Sequence, residues 1–488
     1  MHRILINGEW VAAASQSARV IRNPTTLKVL ATVPDCGSED VGLAVAAAKA
    51  AQPGWWKVPG VEKAKLLREI GARIRAREHA LASLMTQETG KPLCEAVDCI
   101  DWVAACFEYY GEVARSSYGN SVPPGAAHQL NFTIKEPFGV VAAIVPFNFP
   151  LLLMAWKVAP AIAAGNAVVC KPPHQNPLSS LHLAEVYDLL PPGVVNVVTG
   201  AAETGTALVE HPDVDLIAFT GSTAAGRRIA AAAGAQLKKV NLELGSIDPF
   251  IVFKDADLDV AVPGVAWARL LNAGQVCTSS KRIYVEAPIA TEFIERLHGF
   301  VAQLQVGDPM KRETDLGPLI SEEAAQRVED QVARAVADGA TLGLGGRRFQ
   351  PSGLPGHFFQ PTILTNVRHG SVATREEIFG PVLAITQVAD ADEAIRLAND
   401  SEYGLGASIY TADLATAMRA MESIKAGTFW INDPLTDNDA APFGGMRHSG
   451  IGRELGPEGL DAFRESKHVH LDWLMERKPW FFPYRDRK

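Results

Sequence analysis

A chain of 488 residues is too long for one hydrophobic core and points to roughly two or three domains. Its composition, 47% hydrophobic and 21% charged, is that of an ordinary soluble globular protein. A net charge of -9 with no long run of either sign excludes nucleic-acid binding as the main function, because phosphate contacts need clustered Lys and Arg.

The first stretch, MHRILINGEWV, lacks the long apolar core of a signal peptide. Six cysteines occur, none spaced CxxC, so a zinc site, a redox pair and a disulfide scaffold are all disfavoured. Reduced thiols in the cytoplasm are the expectation. No metal site is expected. Residues 38–115 read as largely helical, starting after Ser38 and with a stop near Gly90. Cys94, Cys99 and Cys106 are expected to pack within these helices. The apolar stretch 139–170 is broken by Pro146, Asn148, Pro150, Lys157 and Pro160, so it holds no span of about 18 apolar residues. It reads instead as a buried strand, a loop and a helix over 155–164.

Strands then alternate with helices: NAVVCK, a helix near 178–190, VVNVVTG, DLIAFTG, a helix over AAGRRIAAAAGA, and KKVNLEL. Continuous apolar strands between helices predict a parallel sheet covered on both faces. A second α/β region begins near residue 245, with strands at PFIVF, RIYVE, GPVLAITQV and GTFWIND. The Gly-rich segments LGLGGRRFQPSGLPG and PFGGMRHSGIGREL are expected as loops. The aromatic tail after residue 466 is expected to pack against a second subunit.

Several short motifs carry chemistry. NAGQVCTSS (272–280) sets Cys277 among small and polar residues. Small neighbours admit a substrate carbon and polar ones solvate a thiolate; a half-buried inert thiol is the competing reading. In FTGSTAAGRRI, Gly221 suits a tight turn, Gly226 a close helix contact, and Ser222 a helix start that attracts phosphate. Two glycines alone also fit any strand-to-helix turn. Lys171 ends a strand, where it reaches ribose hydroxyls or phosphate, or simply solvent. Glu243, between Leu242 and Leu244, has the raised pKa of a general base if desolvated, or is an edge-strand surface group. Asn148 in PFNFP could aim its amide at an oxyanion. In EEIFGPV, Glu377 could hold a ribose and Phe379 could bound a nicotinamide.

Taken together, PFNFP, KP, FTGSTAAGRRI, LELGS, GQVCTSS, EEIFGPV, YGLGASIYT, AGTFWIND and PFGGMRHSGIGRELG resemble, in order, the aldehyde dehydrogenase superfamily of the NAD(P)-dependent non-acylating type. The motifs span roughly residues 20–470. The resemblance implies an α/β fold: a Rossmann-like cofactor domain (1–117 and 137–243), an α/β catalytic domain (244–445) and a small β oligomerisation element (118–136 and 464–488). It implies Cys277 as nucleophile, Glu243 as base and Asn148 as oxyanion donor. Pro146, Phe147, Lys171, His174, Gly221, Ser222, Gly245, Glu377 and Phe379 are implied at the cofactor. A homodimer or homotetramer is implied, with no nucleic-acid or membrane partner.

The chain departs from the family pattern twice. Ser246 ends LELGS where many relatives have glycine. His174 stands where NAD-preferring relatives often have a glutamate that repels a 2′-phosphate, so NAD and NADP stay close, with a slight lean to NAD. Tunnel-lining candidates are Trp102, Phe107, Phe149, Trp156 and Phe443. They suggest an apolar, aromatic or betaine-type aldehyde. Acidic residues in DPLTDND (433–439) would disfavour anionic substrates. The competing functions are a coenzyme A-acylating enzyme, which would lack Glu243, and a silent binding or structural relative, which would lack Cys277 or Glu243.

Overall fold

A computed structural model describes residues 2–115 and 119–486. Two large sheets organise the chain. In the first, the order is Gly450–Ile451, Lys239–Glu243, Leu216–Thr220, Val140–Ile144, Ala167–Lys171, Val195–Val197, Ile4–Ile6 and Glu9–Val11. The five inner strands run parallel and the flanking ones antiparallel. Val140–Ile144 and Ala167–Lys171 are buried along their whole length, which is why they read as unbroken apolar runs.

The chain builds outward from 140–144 through 167–171 to 195–197, then returns to place 216–220 on the other side of 140–144. That reversal opens a crevice at the C-terminal strand ends, where parallel sheets receive ligands. Pro146, Phe147 and Asn148 leave one side of it. Gly221 and Ser222 leave the other, and Lys171 and Glu243 end the adjoining strands.

The second sheet has the order Thr341–Leu344, Thr362–Thr365, Val382–Val388, Arg282–Glu286, Pro249–Val252, Gly406–Tyr410 and Thr428–Ile431. All neighbours are parallel except the first pair. Only residues 244–248 join Glu243 to Pro249, so the ligand-facing ends of the first sheet meet the N-terminal strand ends of the second. A third sheet pairs Arg464–Asp472 with Gln129–Pro137 and Ser121–Val122.

The expected helices and parallel strands are present, with differences that have physical causes. The helix after PFNFP starts at Pro150 rather than 155, because proline suits a first turn. The helix of 178–183 tightens to a 3-10 turn over 184–189. LGLGGRRFQPSGLPG contains an edge strand, 341–344, hidden by its glycines. Gly450–Ile451, inside the other expected loop, adds a strand to the first sheet. The strands 4–6, 9–11, 18–22 and 29–34 were not anticipated from the sequence. Cys99 and Cys106 pack as expected, but Cys94 is exposed. Tyr118, at the start of the expected hairpin, lies outside the described residues, as do Arg487 and Lys488 at the tail's end. Among the described residues no helix is long and apolar enough to cross a membrane.

Candidate functional site

The helix Leu258–Leu270 ends in a turn that carries the thiol. Asn272, Ala273 and Gly274 are all left-handed, at φ 52°, 53° and 75°. Such a conformation costs about 1–3 kcal/mol at each non-glycine residue, so surrounding bonds must hold it. The Asn272 N–H donates to Glu95 Oε2 at 2.9 Å, and its Nδ2 to the Asn148 carbonyl at 3.2 Å. Asn148 Nδ2 donates to the Gln275 carbonyl at 3.1 Å. The Ile320 N–H donates to Gln275 Oε1 at 3.1 Å. A Cβ on Gly274 would fall 2.2 Å from the Gly380 carbonyl oxygen, so that position has room for glycine alone.

Arg269, fully buried at the end of the same helix, ties this turn to the EEIFGPV loop. It donates to the carbonyls of Gly274 (3.2 Å), Ile378 (2.7 Å) and Val382 (2.6 Å), and to Ser279 Oγ (3.0 Å). Lys281, also buried, donates to the Val276 and Cys277 carbonyls and lies 3.3 Å from Glu377 Oε1.

Cys277 is half-buried beside a cavity of about 650 Å³. Burial first, then the carboxylates of Asp248, Glu377 and Glu243, push its thiol up to about 12; Lys281 works the other way. Glu243 is buried, and among the described residues neither of its oxygens has a hydrogen-bond partner of good geometry. Burial and the nearby Glu454 push its carboxyl well above the usual range, while Lys157 and Arg453 favour the charge. Lys157 itself is fully buried, 2.5 Å from Glu454 Oε1 and 2.6 Å from Thr220 Oγ1.

The crevice lies alongside. Ser222 caps the helix Thr223–Ala235, accepting from the Ala225 N–H at 3.3 Å. Gly221 lies in the two-residue turn between the strand Leu216–Thr220 and the helix Thr223–Ala235, without a left-handed backbone. It is small because a Cβ would meet the Phe219 ring at 2.4 Å. Gly226 abuts Leu244 as expected. A Cβ on Gly245 would meet Glu377 Oε2 at 2.5 Å. Ser246, the departure from the family pattern, donates both its N–H to Glu377 and its hydroxyl to the buried Asp248. Phe147 and Phe379 meet edge to face at 5.9 Å, and Asn176 Nδ2 holds the Phe147 carbonyl at 2.7 Å. Lys171 is buried, its ammonium lowered to about 8 mainly by that burial, and bonded to the Pro172 carbonyl. His174 is exposed, yet partial burial of its ring and the nearby Lys171 hold its pKa below the usual value.

A dinucleotide fits these residues. Thr223 Oγ1 is buried without a partner at the helix start, and the glycine at 245 leaves a cradle beside Glu377 that a Cβ would fill.

Trp102, Phe149, Trp156 and Phe443 line the cavity. Phe107 does not: it points to the opposite face of its helix, against Tyr187. Trp267 and Phe300, unanticipated, add to the lining, as do Glu95, Asp98, Asp315 and Asp437, with Arg312 also present. Burial pushes the carboxyls of Glu95 and Asp437 up to about 7. Lys91 lies buried behind this wall, its Nζ 3.3 Å from the centre of the Phe149 ring. Sequence reasoning missed Lys157, Glu454, Arg269 and Lys281. Only Lys157 left a signal, a lone cation in an otherwise apolar helix.

Residues 10–469 match the aldehyde dehydrogenase family. The chain is 40% identical to aminoaldehyde dehydrogenase 2, peroxisomal, of Pisum sativum, over 98% of this chain and 97% of that protein. It is also 40% identical to the NADP(+) succinate-semialdehyde dehydrogenase of Escherichia coli K12, over 95% and 96%. The crystal structure of betaine aldehyde dehydrogenase from Staphylococcus aureus in complex with NAD+ superposes with a TM-score of 0.96 at 36% identity, over 99% of this chain and 97% of that one. Fold, crevice and sequence agree: the chain belongs to the aldehyde dehydrogenase family, as an NAD(P)-dependent oxidoreductase that converts aldehydes to acids.

Proposed function

We propose that Cys277 is the nucleophile and Glu243 the base that hydrolyses its thioester. The observation that carries this is the pairing of a cavity-lining thiol with a buried, unpartnered carboxyl within electrostatic reach of it. Attack of the thiolate on the aldehyde carbon places charge on oxygen, which the Asn148 amide and the Cys277 N–H stabilise. When bound, the cofactor supplies a hydride acceptor. Glu243 then takes a proton from water as that water attacks the acyl carbon, and Cys277 leaves as thiolate. Burial and Glu454 outweigh the pull of Lys157, whose ammonium is shared with Glu454, so Glu243 stays basic. A base in place favours hydrolysis over transfer to coenzyme A.

We read the first sheet as the cofactor domain and the second as the catalytic domain, within the boundaries given above. Lys171 and Glu377 would hold the two riboses, and Ser222 with its helix start the pyrophosphate. Pro146, Phe147, Gly221, Gly245 and Phe379 shape the crevice, with Phe379 against the nicotinamide. A reducing compartment such as the cytoplasm suits six unpaired thiols.

The substrate is a small cationic aldehyde, of the aminoaldehyde or betaine type. Four carboxylates and a wall of aromatic faces line one cavity, and both attract an ammonium group. Arg312, exposed at the rim, favours a second reading, a semialdehyde with a terminal carboxylate. One guanidinium against four carboxylates makes it the weaker one.

A second copy of the chain is the partner. The third sheet leads into a tail with Trp473, Met475, Trp480 and Phe482 exposed, too apolar a surface to stay in water. Light scattering should show a dimer or tetramer for the full chain and smaller species for a chain ending at Asp472; a monomeric full chain would end this reading.

Replacing Cys277 by Ala should abolish reduced-cofactor formation at 340 nm. Glu243→Gln should leave a first-turnover burst and slow the steady rate about a hundredfold, typical of losing a general base; equal loss of burst and steady rate would remove the assignment. His174→Glu should lower the kcat/KM ratio of NADP over NAD about tenfold, through repulsion of the 2′-phosphate; an unchanged ratio would show that His174 does not set the preference. The acids Glu95 and Asp437 are neutral below about 7 and charged above it. KM for betaine aldehyde or 4-aminobutyraldehyde should therefore fall between pH 6 and 8, while KM for benzaldehyde stays level. Parallel curves would exclude these carboxylates from substrate binding, and preference for succinate semialdehyde would support the Arg312 reading.

A further inference from the structure

Lys281 opens the strand Arg282–Glu286 and is buried among the site's own loops. Its Nζ donates to the Val276 carbonyl at 3.0 Å and to the Cys277 carbonyl, and lies 3.3 Å from Glu377 Oε1. Two of its N–H bonds go to these carbonyls, and the ammonium forms an ion pair with the Glu377 carboxylate. One ammonium thus holds the loop that carries the thiol and the carboxylate that faces the cofactor crevice. A lysine serving only as a structural strut would need neither a thiol nor a crevice at its ends.

The charged groups around the sulfur are Lys281 and the carboxylates of Asp248, Glu377 and Glu243. Lys281 alone of these favours the thiolate. Glu377, in turn, is held by Lys281 and the Ser246 N–H and sits within reach of Arg269. With Glu377 beside it, Lys281 is largely neutralised as seen from the sulfur. Ribose hydroxyls that donate to Glu377 disperse the carboxylate's charge, and the ammonium then acts on Cys277 with less opposition.

We propose that Lys281 is a positioning residue that carries the cofactor's engagement of Glu377 to Cys277, drawing the thiol toward thiolate when the crevice fills. This rests on the reading of Cys277 as nucleophile and Glu377 as a ribose-binding group. The thiol is then held protonated until a hydride acceptor is in place.

The test is the pH profile of Cys277 alkylation by iodoacetamide in the full-length protein, with and without NAD. Peptide mass separates Cys277 from the exposed Cys94. The midpoint of the profile is read, not the rate, so shielding of the sulfur by bound NAD does not enter. Glu377→Gln, which removes one of the two carboxylates opposing Lys281, should lower the NAD-free midpoint by about one pH unit, tenfold in alkylation rate below it. Lys281→Met should raise the midpoint by about as much and cancel its shift on adding NAD, and Lys281→Arg should restore that shift. With Lys281→Met in place, the effect of Glu377→Gln should shrink. An unmoved midpoint in Glu377→Gln, or an equal NAD shift in Lys281→Met and the unsubstituted protein, would overturn the proposal. Should Lys281→Met not fold, the Glu377→Gln arm decides alone. Failure of the nucleophile reading would show separately, as aldehyde oxidation surviving Cys277→Ala.

Discussion

The buried guanidinium of Arg269 is the constraint on which the site's geometry depends. It joins two loops far apart in sequence, one carrying Cys277 and the other Glu377, through three carbonyls and one hydroxyl. Hydrogen bonds to a charged group contribute about 1.5–3 kcal/mol each, enough together to offset the strain of the left-handed Asn272 and Ala273. A neutral side chain could fill the space but could not hold four oxygens that would otherwise lie buried and unpaired. The Cys277 thiol and the Glu377 carboxylate are therefore placed by one rigid group rather than by two independent loops, which is what alignment of a substrate carbon with a cofactor ring demands.

Around this anchor, buried ammonium groups recur beside carboxylates. Lys157 faces Glu454 and Glu243; Lys281 faces Glu377 and Asp248; Lys91 acts on Glu95 across the wall of the cavity. In a poorly solvated interior each charge would be costly alone. Set side by side, they leave the site near neutrality, so that moving one proton or one ligand charge changes every neighbour. Among the described residues Glu243 is the one carboxyl in this set without a hydrogen bond on either oxygen, which suits the proposed base, a group that would gain and lose a proton in each turnover.

What was legible in the sequence follows from how far a residue's role is local. The parallel strands announced themselves as apolar runs, and the residues that leave their C-terminal ends were found because a strand end is a place one can name without coordinates. The helix 93–113 was also readable, but its rotation was not: Glu95, Asp98, Cys99 and Trp102 share the cavity face, whereas Phe107 turns to the core. Nothing local in the sequence marks Arg269, since its acceptors come from residues 274–382. Asn272 and Ala273 carry no glycine to mark a left-handed turn. The Ser246 departure gained its meaning only from Asp248, two residues on, whose burial the sequence does not declare.

The resting state of the thiol bears on more than rate. Thiolates, not thiols, are the species that attack peroxides and disulfides and are oxidised by them. A cysteine open to a cavity of about 650 Å³ is exposed to small oxidants whenever substrate is absent. Burial and three carboxylates hold Cys277 at about 12, so in the empty site it is almost wholly protonated. The same groups that would slow Cys277 as the proposed nucleophile at rest would thus protect it. Whatever then lowers the thiol must be tied to occupancy of the site rather than to its fixed surroundings. A permanent thiolate would gain speed in the first step and lose the enzyme to oxidation between encounters; a thiol activated only in the filled site avoids that exchange.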